Sequence, residues 1–223
     1  MINSVEKDML YMSVNRRNES FEVKDNMTSV EKFFKRSLDI VCSLMGLILL
    51  SPVFLVTYVA LKLQGEGSVI FKQERIGYLG KPFYMYKFRT MRVNAEIDGP
   101  QLAIKNDDRL TRIGKFLREH HLDELPQFWN VFIGDMSMVG YRPERKYFID
   151  QIMKEDPRYE CLFQLKPGVT SEATLYNGYT NTMEKMLERL NMDLRYLETA
   201  SLAKDITIIL KTFSVIIFGE KDK

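Results

Sequence analysis

The sequence predicts an α/β fold in which a small irregular sheet carries helices on its surface and an N-terminal apolar helix enters a membrane. Residues 68–92 predict short strands, because apolar and aromatic runs alternate there with glycine and proline turns. Later stretches carry apolar residues at the spacing of a helix. Hydrophobic residues make up 45% of the chain and charged residues 28%, a balance typical of a folded protein rather than a disordered one.

The distribution of charge divides the chain into three regions. Residues 1–30 are polar and show no sustained apolar period, which predicts a loosely ordered polar tail with room for a short helix near its start. Residues 31–64 contain the apolar segment, and residues 65–223 form the remaining domain. A cleaved signal peptide is not expected, because the apolar run begins only near residue 38 and no small-residue cleavage site follows it.

The apolar segment from Ile40 to Leu61 contains 22 residues without a charge. As a helix it would be about 33 Å long at 1.5 Å per residue, enough to cross a bilayer. Pro52, in the Ser51-Pro52 pair near its middle, lacks an amide hydrogen and crowds the preceding turn, so the helix has to kink or break there. This segment alone favours a kinked transmembrane span. A re-entrant hairpin broken at Ser51-Pro52 is the alternative.

Basic residues on both flanks of the apolar segment favour the hairpin. They are Lys32, Lys35 and Arg36 before it, and Lys62, Lys72 and Arg75 after it. Basic flanks usually face the cytoplasm, and a simple span would place one of the two clusters on the wrong side. We therefore expect residues 31–64 to form a re-entrant membrane hairpin, and the single span stays open as the second interpretation.

Later segments predict the helices of the remaining domain. Thr111 suits the N-cap of a helix over 112–119, and a further helix should begin near Asp123. Two amphipathic helices follow at about 183–197 and 198–218. The second carries an apolar stripe of Leu202, Ile206, Ile209, Phe213 and Ile216. That stripe fits packing against the core and contact with a membrane interface equally well.

Charge and cysteine content narrow the kinds of ligand. The net charge of +2 indicates no particular partner and gives no reason to expect nucleic acid. Between Lys72 and Arg118, however, eleven Lys and Arg residues outnumber five Asp and Glu residues, which suits phosphate groups. Cys42 and Cys161 should be ordinary thiols rather than a disulfide framework. The adjacent histidines at 120–121 have no second cluster with which to form a zinc site.

Asp123 and Glu124 are the first candidates for chemistry. Asp123 suits an N-cap and Pro126 a first helical turn, so the positive end of the helix dipole should lower the pKa of Asp123 and keep it ionised. An ionised carboxylate can act as a nucleophile, and Glu124 beside it could hold Mg²⁺, a cation that prefers oxygen ligands and is shared with substrate phosphates. Adjacent Asp and Glu at a helix start are also common caps without any catalytic role.

Clustered cations around this pair predict a site for phosphoryl transfer. Arg112, Lys115 and Arg118 recur every three residues and should lie on one helix face. The candidate phosphate-binding residues are Lys87, Arg89, Arg112, Arg118 and Arg142, the last fixed by the proline that follows it. Each cation alone is most simply a solvated surface charge. Their joint arrangement carries the prediction.

In these motifs the sequence resembles the bacterial sugar transferases known as monotopic phosphoglycosyl transferases. The matching residues are Asp123-Glu124-Leu125-Pro126-Gln127, Asn130-Val131, Gly134-Asp135-Met136-Ser137, Lys35-Arg36 with Asp39, Ser51-Pro52, Gln73 with Arg75 and Gly77, and Tyr86–Met91. The resemblance covers roughly residues 33–218, and the motifs stand in the order of the family.

The resemblance implies a specific reaction and location. Asp123 would attack the β-phosphate of a UDP-sugar and release UMP, and the covalent phosphosugar would then pass to polyprenyl phosphate, typically undecaprenyl phosphate. Glu124 would match the Mg²⁺-binding acid, and Arg118 and Arg142 would match phosphate-contacting arginines. The catalytic domain, residues 65–223, would lie on the cytoplasmic face of the bacterial inner membrane. Downstream glycosyltransferases would be partners, and a homodimer stays open.

Two departures from the family pattern concern the choice of sugar. Tyr141 stands where relatives often have proline, and Ser171-Glu172-Ala173-Thr174-Leu175 replaces Gly-x-Ala-Gln-Val.

Two other functions are weighed against the transferase. One is a catalytically silent scaffold of a glycan-assembly complex, which would need no cluster of the kind around Asp123 and Glu124. The other is a Mg²⁺-dependent hydrolase of lipid diphosphates, which would release free sugar phosphate instead of making a lipid-linked sugar.

Overall fold

The computed structural model describes residues 23–65, 67–96, 99–102, 107–178 and 180–218. Its helices are α1 (Ser29–Leu49), α2 (Ser51–Leu63), α3 (Arg112–Glu119), α4 (Gln127–Ile133), α5 (Lys146–Glu155), α6 (Glu172–Tyr176), α7 (Met183–Thr199) and α8 (Leu202–Phe218). Its strands are β1 (Ile70–Ile76), β2 (Pro82–Phe88), β3 (Ser137–Val139) and β4 (Gly168–Thr170). Short 3-10 turns cover Tyr78–Gly80, Leu122–Glu124 and Pro157–Gln164.

Two small two-stranded sheets confirm the predicted α/β class. Strands β1 and β2 are antiparallel, with Ile70 opposite Phe88 and Ile76 opposite Pro82. Strands β3 and β4 are parallel over three residues each. The predicted strands within 68–92 are therefore confirmed, although β1 continues through a charged stretch to Ile76 and is longer than its apolar part suggested.

Helix α3 forms over the predicted residues for the predicted reason. The Thr111 hydroxyl accepts a hydrogen bond from the Gly114 amide at 2.9 Å, which satisfies one of the free donors of the first turn. Gly114 packs directly on the backbone of the preceding loop, where a Cβ would lie 1.8 Å from the Thr90 carbonyl oxygen. Helices α7 and α8 confirm the two predicted C-terminal helices.

Residues 23–28 pack against the core, in contrast to the predicted loose tail. Met27 is buried, and the Gln164 side-chain amide donates to the Val23 carbonyl at 3.0 Å. The Asn26 amide donates to the Leu197 carbonyl at 3.3 Å. Helix α1 starts at Ser29, two residues before the region assigned to the membrane segment. The rest of the predicted tail, residues 1–22, lies outside the described residues.

Helices α1 and α2 form the predicted break. The two helices meet at Leu50 with a bend of 58°, and Pro52 lies in the first turn of α2, where its missing amide hydrogen costs nothing. Among the described residues, no single helix is both long and apolar enough to cross a membrane, whereas this bent pair passes that test jointly. Much of its apolar surface is exposed, including Leu49, Leu55 and Val56.

Lys35 connects α1 to the C-terminal helices through a buried ion pair. Its ammonium contacts the Asp205 carboxylate of α8 and donates to the Val139 carbonyl of β3 at 2.8 Å. Asp205 is almost fully buried and also accepts a hydrogen bond from the Tyr196 hydroxyl. A buried carboxylate needs such partners, because an isolated charge away from water is strongly unfavourable.

Arg36 and Asp39 hold the next turn of α1. The Arg36 guanidinium donates to two carbonyls at the end of α4, at 2.7 and 2.8 Å. Asp39 is buried and accepts from the Ser137 hydroxyl at 3.0 Å and from the Met138 amide at 2.8 Å, both in β3. The basic and acidic residues of α1 thus fix this helix to the elements that follow the Asp123-Glu124 turn.

The apolar stripe predicted on α8 is divided between two surroundings. Leu202 and Ile209 pack against the core, whereas Ile206, Phe213 and Ile216 are about half exposed. The side of α8 that faces inward is instead marked by Asp205 and by the buried Ile208.

Replacing Lys35 by Met should destabilise the protein by about 3–5 kcal/mol, because Asp205 would remain buried without its cation. The measurement is thermal or chemical unfolding of the detergent-solubilised protein. The double variant Lys35→Met, Asp205→Asn removes both charges and should recover much of the loss. A double variant no more stable than Lys35→Met alone would contradict this account of the pair.

Candidate functional site

Asp123 and Glu124 lie in the 3-10 turn Leu122–Glu124, between α3 and α4. His121, which precedes the turn, has a left-handed backbone with φ of 54°. Helix α4 begins only at Gln127, so Asp123 is not its N-cap and the predicted capping geometry is wrong. The turn and Pro126 separate the two carboxylates from the helix start.

Glu124 is the meeting point of two cations from distant parts of the chain. The Lys87 ammonium of β2 donates to its Oε1 atom at 2.8 Å, and the Arg142 guanidinium donates to the same atom at 2.8 Å. Burial alone would raise the pKa of Glu124, but Arg142 and Lys87 together hold the pKa well below its ordinary value. Glu124 is therefore a stable anion at neutral pH, and the predicted grouping of Lys87 and Arg142 around it is observed.

Asp123 is buried and has the opposite pKa shift. Burial raises the pKa of Asp123, and the neighbouring Glu124 carboxylate raises it further. The charges of Lys87, Arg118 and Arg142 oppose this rise. The predicted lowering of the Asp123 pKa by a helix dipole is thus wrong, because loss of water and a like charge outweigh the cations around it.

Arg118 and Gln127 bring buried donors that the protein itself does not use. The Arg118 Nη1 and Gln127 Nε2 atoms are buried and have no hydrogen-bond partner among the described residues. The Arg118 charge acts on Asp123, so the structure places this guanidinium near the two carboxylates. Buried donors without acceptors are unfavourable, and an anionic ligand would satisfy them.

Arg89 and Arg112 are not brought to the carboxylates. Arg89 lies just after β2, and its Nη2 atom donates to the Leu61 carbonyl at the end of α2 at 3.0 Å. It therefore supports the hairpin at the far end of the apolar segment. Arg112 is exposed in the first turn of α3, and in the described part of the chain it forms no ion pair with Glu124.

Tyr141, the departure in the 140–143 motif, is a core residue. Its side chain is completely buried, and its carbonyl accepts from the Gly168 amide at 2.8 Å. The ring is therefore not accessible from solvent in this structure. The second departure, at 171–175, forms the start of α6, where the Ser171 hydroxyl accepts from the Thr174 amide.

Beneath Arg142 lies a second ionic group that the sequence reasoning missed. Glu144 is buried, with Oε1 accepting from Arg189 of α7 at 2.7 Å and Oε2 accepting from Arg75 of β1 at 3.0 Å. Burial would raise the pKa of Glu144, but Arg75 and Arg189 hold it below its ordinary value. The signal for this group was an acidic residue directly after Arg142 and Pro143, but its partners lie 69 and 45 residues away in the chain.

Asp193 of α7 completes this layer. Burial raises the pKa of Asp193 to about 8, although Arg189 and the Arg142 backbone amide oppose the rise. The carboxyl lines a cavity of about 10 Å³, room for roughly one water molecule, together with Tyr159, Arg189 and others. Both the Asp193 Oδ1 atom and the Tyr159 hydroxyl lack a hydrogen-bond partner among the described residues, which a buried water would supply.

The donor set at Asp123 and Glu124 fits Mg²⁺ only when it is shared with a substrate. Within the described ranges no three His, Cys, Asp or Glu residues form a metal-binding group. Mg²⁺ is commonly bound by one or two carboxylates together with substrate phosphates and water. Because Lys87 and Arg142 both use Oε1 of Glu124, the other carboxylate oxygen is left for such a cation.

Comparison with known proteins identifies a family. Residues 30–219 match the family model described as bacterial sugar transferase. Over 187 residues the chain is 40% identical to the UDP-N-acetylgalactosamine-undecaprenyl-phosphate N-acetylgalactosaminephosphotransferase of Aeromonas hydrophila, covering 84% of the chain and 44% of that protein. Over 188 residues it is 43% identical to the UDP-glucose:undecaprenyl-phosphate glucose-1-phosphate transferase of Klebsiella pneumoniae, covering 83% and 40%.

A third relative is closer to the chain in length. It is the UDP-glucose:undecaprenyl-phosphate glucose-1-phosphate transferase of Caulobacter vibrioides, 40% identical over 182 residues, which are 80% of the chain and 67% of the relative. The chain thus spans less than half of the first two relatives and about two thirds of the third.

The buried Asp193 predicts a loss of stability with rising pH. Its pKa of about 8 exceeds the ordinary 3.8, so the folded state holds a proton that the unfolded state releases between these values. The free energy of unfolding therefore falls as pH rises from about 4 to 8. Of the charged residues near the carboxyl, Arg189 lowers its pKa, whereas Glu144 and Glu172 raise it. Asp193→Asn should therefore melt at a higher temperature than the parent protein at pH 8, with the difference shrinking toward pH 5. A difference in melting temperature between the two proteins that is the same at every pH would contradict the assignment of a protonated Asp193.

Proposed function

The chain belongs to the bacterial sugar transferase family, and from this premise we propose that it moves a sugar 1-phosphate from a UDP-sugar to polyprenyl phosphate, typically undecaprenyl phosphate. The observation that carries the proposal is the contrast between two adjacent carboxylates. Glu124 is partly buried and bound by Lys87 and Arg142, whereas Asp123 is buried and forms no ion pair among the described residues. UMP is the other product. The expected role is the initiation of a surface polysaccharide or glycoconjugate.

In the first half-reaction Asp123 acts as the nucleophile. One of its carboxylate oxygens forms a bond to the β-phosphorus of the UDP-sugar, while the bond from that phosphorus to the bridging oxygen breaks and UMP leaves with the electron pair. Arg118 and Arg142 bind the phosphoryl oxygens, on which negative charge accumulates, and guanidinium groups suit these oxygens because they donate in a bidentate manner. Burial of Asp123 supports this role, because a poorly solvated carboxylate loses little hydration on attack.

In the second half-reaction the polyprenyl phosphate is the nucleophile. Its phosphate oxygen attacks the phosphorus of the phosphosugar on Asp123, the acyl phosphate bond breaks, and the carboxylate is regenerated. The product is a diphosphate that links the lipid to the sugar. Because two anions meet in each step, the cations Lys87, Arg118 and Arg142 are needed in both.

Glu124 would hold Mg²⁺ together with the substrate diphosphate. When bound, the cation supplies positive charge that offsets the charge of the phosphates as the carboxylate approaches. Lys87 and Arg142 keep Glu124 anionic and oriented for this task through their shared contact with Oε1.

The sugar itself is left open by the relatives. At 40% and 43% identity, one relative is named for N-acetylgalactosamine phosphate and another for glucose 1-phosphate. Of the two sequence departures, the burial of Tyr141 favours the 171–175 segment at the start of α6 as the place where substrates are distinguished.

We propose that the bent pair α1 and α2 enters the cytoplasmic face of the bacterial inner membrane as a re-entrant hairpin. Support comes from the 58° bend at Leu50, the exposed apolar surface of both helices and the basic residues on both flanks. This position would bring the site to the level of the phosphate of a lipid acceptor, and it would give access to the downstream glycosyltransferases that extend the product.

The two rival functions are less well supported. A silent scaffold would not need a buried Asp123 beside a partly buried ionic cluster, since removing charges from water is costly. That cluster consists of Glu124, Lys87 and Arg142. A lipid diphosphate hydrolase needs an activated water, whereas the site presents a carboxylate with no ion pair among the described residues.

Asp123→Asn should abolish turnover while the protein stays folded and membrane-bound. An amide keeps the shape of the side chain but is not an anionic nucleophile, so a loss of more than about a thousandfold is expected. The measurement is UMP release and lipid-linked product from membranes given polyprenyl phosphate, Mg²⁺ and a panel of UDP-sugars, with a chelator in a parallel series. Near-normal UMP release by the variant would remove Asp123 from the mechanism, and free sugar phosphate as the main product would favour the hydrolase.

Both ends of the hairpin should be inaccessible from outside the cell. Single cysteines, Ser29→Cys and Gln64→Cys, are introduced in a chain that lacks Cys42 and Cys161. A membrane-impermeant thiol reagent should label neither site in intact cells and both after lysis. Labelling of one site in intact cells would establish the transmembrane span. Replacing Ser51 and Pro52 by Ala and Leu should straighten the break into one continuous helix. This variant is the matched control, because one end of the straight helix should cross the membrane and become labelled in intact cells.

A further inference from the structure

The segment that carries Arg142 is held by its backbone rather than by packing of the Arg142 side chain. About a third of that side chain is exposed, and the guanidinium contacts Glu124. The Tyr141 carbonyl accepts from the Gly168 amide, and the Glu144 carbonyl accepts from the Ile76 amide at 3.2 Å. The position of the guanidinium therefore depends on where the backbone of residues 141–144 is fixed.

Two arginines fix the far end of this segment through Glu144. Arg75 donates both to the Pro143 carbonyl and to Oε2 of Glu144, each at 3.0 Å. Arg189 donates to Oε1 at 2.7 Å from the opposite side. Because each carboxylate oxygen accepts from a different arginine, and Arg75 also binds the Pro143 carbonyl, residues 143–144 are held from two sides.

Stability alone does not account for burying three charged groups here. Apolar side chains of the same volume stabilise a core as well as a buried ionic group or better. The ionic group instead fixes the orientation of the segment that carries Arg142, and Arg142 is the arginine that pairs with Glu124.

We propose that Glu144, held between Arg75 and Arg189, is a positioning residue that fixes Arg142 against Glu124 and the phosphates of the substrate. This inference rests on the proposed function, since it assigns Arg142 to the phosphates of a UDP-sugar. Arg75 and Arg189 act through Glu144 and do not touch the substrate. A diphosphate that competes with Glu124 for the Arg142 guanidinium would find it in place, because hydrogen bonds hold the backbone on both sides of Arg142.

A double-mutant cycle between Arg189 and Arg142 tests the inference. Arg142→Gln should lower kcat/KM for the UDP-sugar by about 100-fold, the order expected for loss of one charge-stabilising donor. Arg189→Gln should lower it by roughly tenfold, and the double variant should be no worse than Arg142→Gln alone, because residues that act as one unit are not additive. Arg189→Lys, which keeps the charge, should recover part of the loss. Arg158→Gln is the matched control, since that arginine pairs with Asp156 outside this group and should leave kcat/KM unchanged.

Multiplication of the two single losses in the double variant would overturn the positioning role. If Arg189→Gln fails to fold, Glu144→Gln replaces it in the cycle, because its amide keeps the shape of the carboxylate. A parent protein that makes no lipid-linked sugar from any UDP-sugar would refute the proposed function instead. The same cycle is then measured by melting temperature. The double variant should lower the melting temperature by less than the sum of the two single variants, and additive losses would refute the inference.

Discussion

A charged side chain that is removed from water needs an oppositely charged or hydrogen-bonding partner, and in this protein such partners lie on elements that are distant in the sequence. Glu124 draws Lys87 from β2 and Arg142 from the loop after β3 to a single carboxylate oxygen. Glu144, two residues beyond Arg142, draws one arginine from β1 and one from α7. In the described part of the chain neither sheet has more than two strands, so these ionic contacts hold elements in place that a larger sheet would otherwise hold.

The same requirement seats the bent helix pair on the domain. The partly buried Lys35 pairs with the buried Asp205 where α1 crosses α8, and Asp39 is buried against β3. Each charge has its partner on another element, so the angle at which α1 leaves the domain is fixed by side chains and not only by apolar packing. Because Arg36 of the same turn binds the end of α4, the hairpin and the turn that holds Asp123 share one support.

Local signals predicted the local features well. The Thr111 cap, the strands on either side of the 77–82 turn and the break before Pro52 all depend on residues a few positions apart, and the structure has each of them. The capping role of Asp123 failed because a 3-10 turn and a proline can occupy the same residues as a helix start, and the sequence does not distinguish these. Arg89 and the partners of Glu144 depend on which distant chain lies opposite, information that no local pattern contains.

The division of labour between Asp123 and Glu124 follows from position rather than residue type. Both are carboxylates in one turn, yet only Glu124 forms ion pairs with Lys87 and Arg142. These contacts compensate its negative charge and occupy one of its oxygens. Asp123 feels the same cations at longer range and has no ion pair among the described residues, so its oxygens are not committed to a partner. A carboxylate bound in two ion pairs is a poor nucleophile but a good anchor, whereas a buried carboxylate without an ion pair is poorly solvated and keeps its oxygens available for attack. Environments that separate two neighbouring carboxyl groups in this way assign them different roles, and the buried charges around the turn create that separation before any substrate arrives.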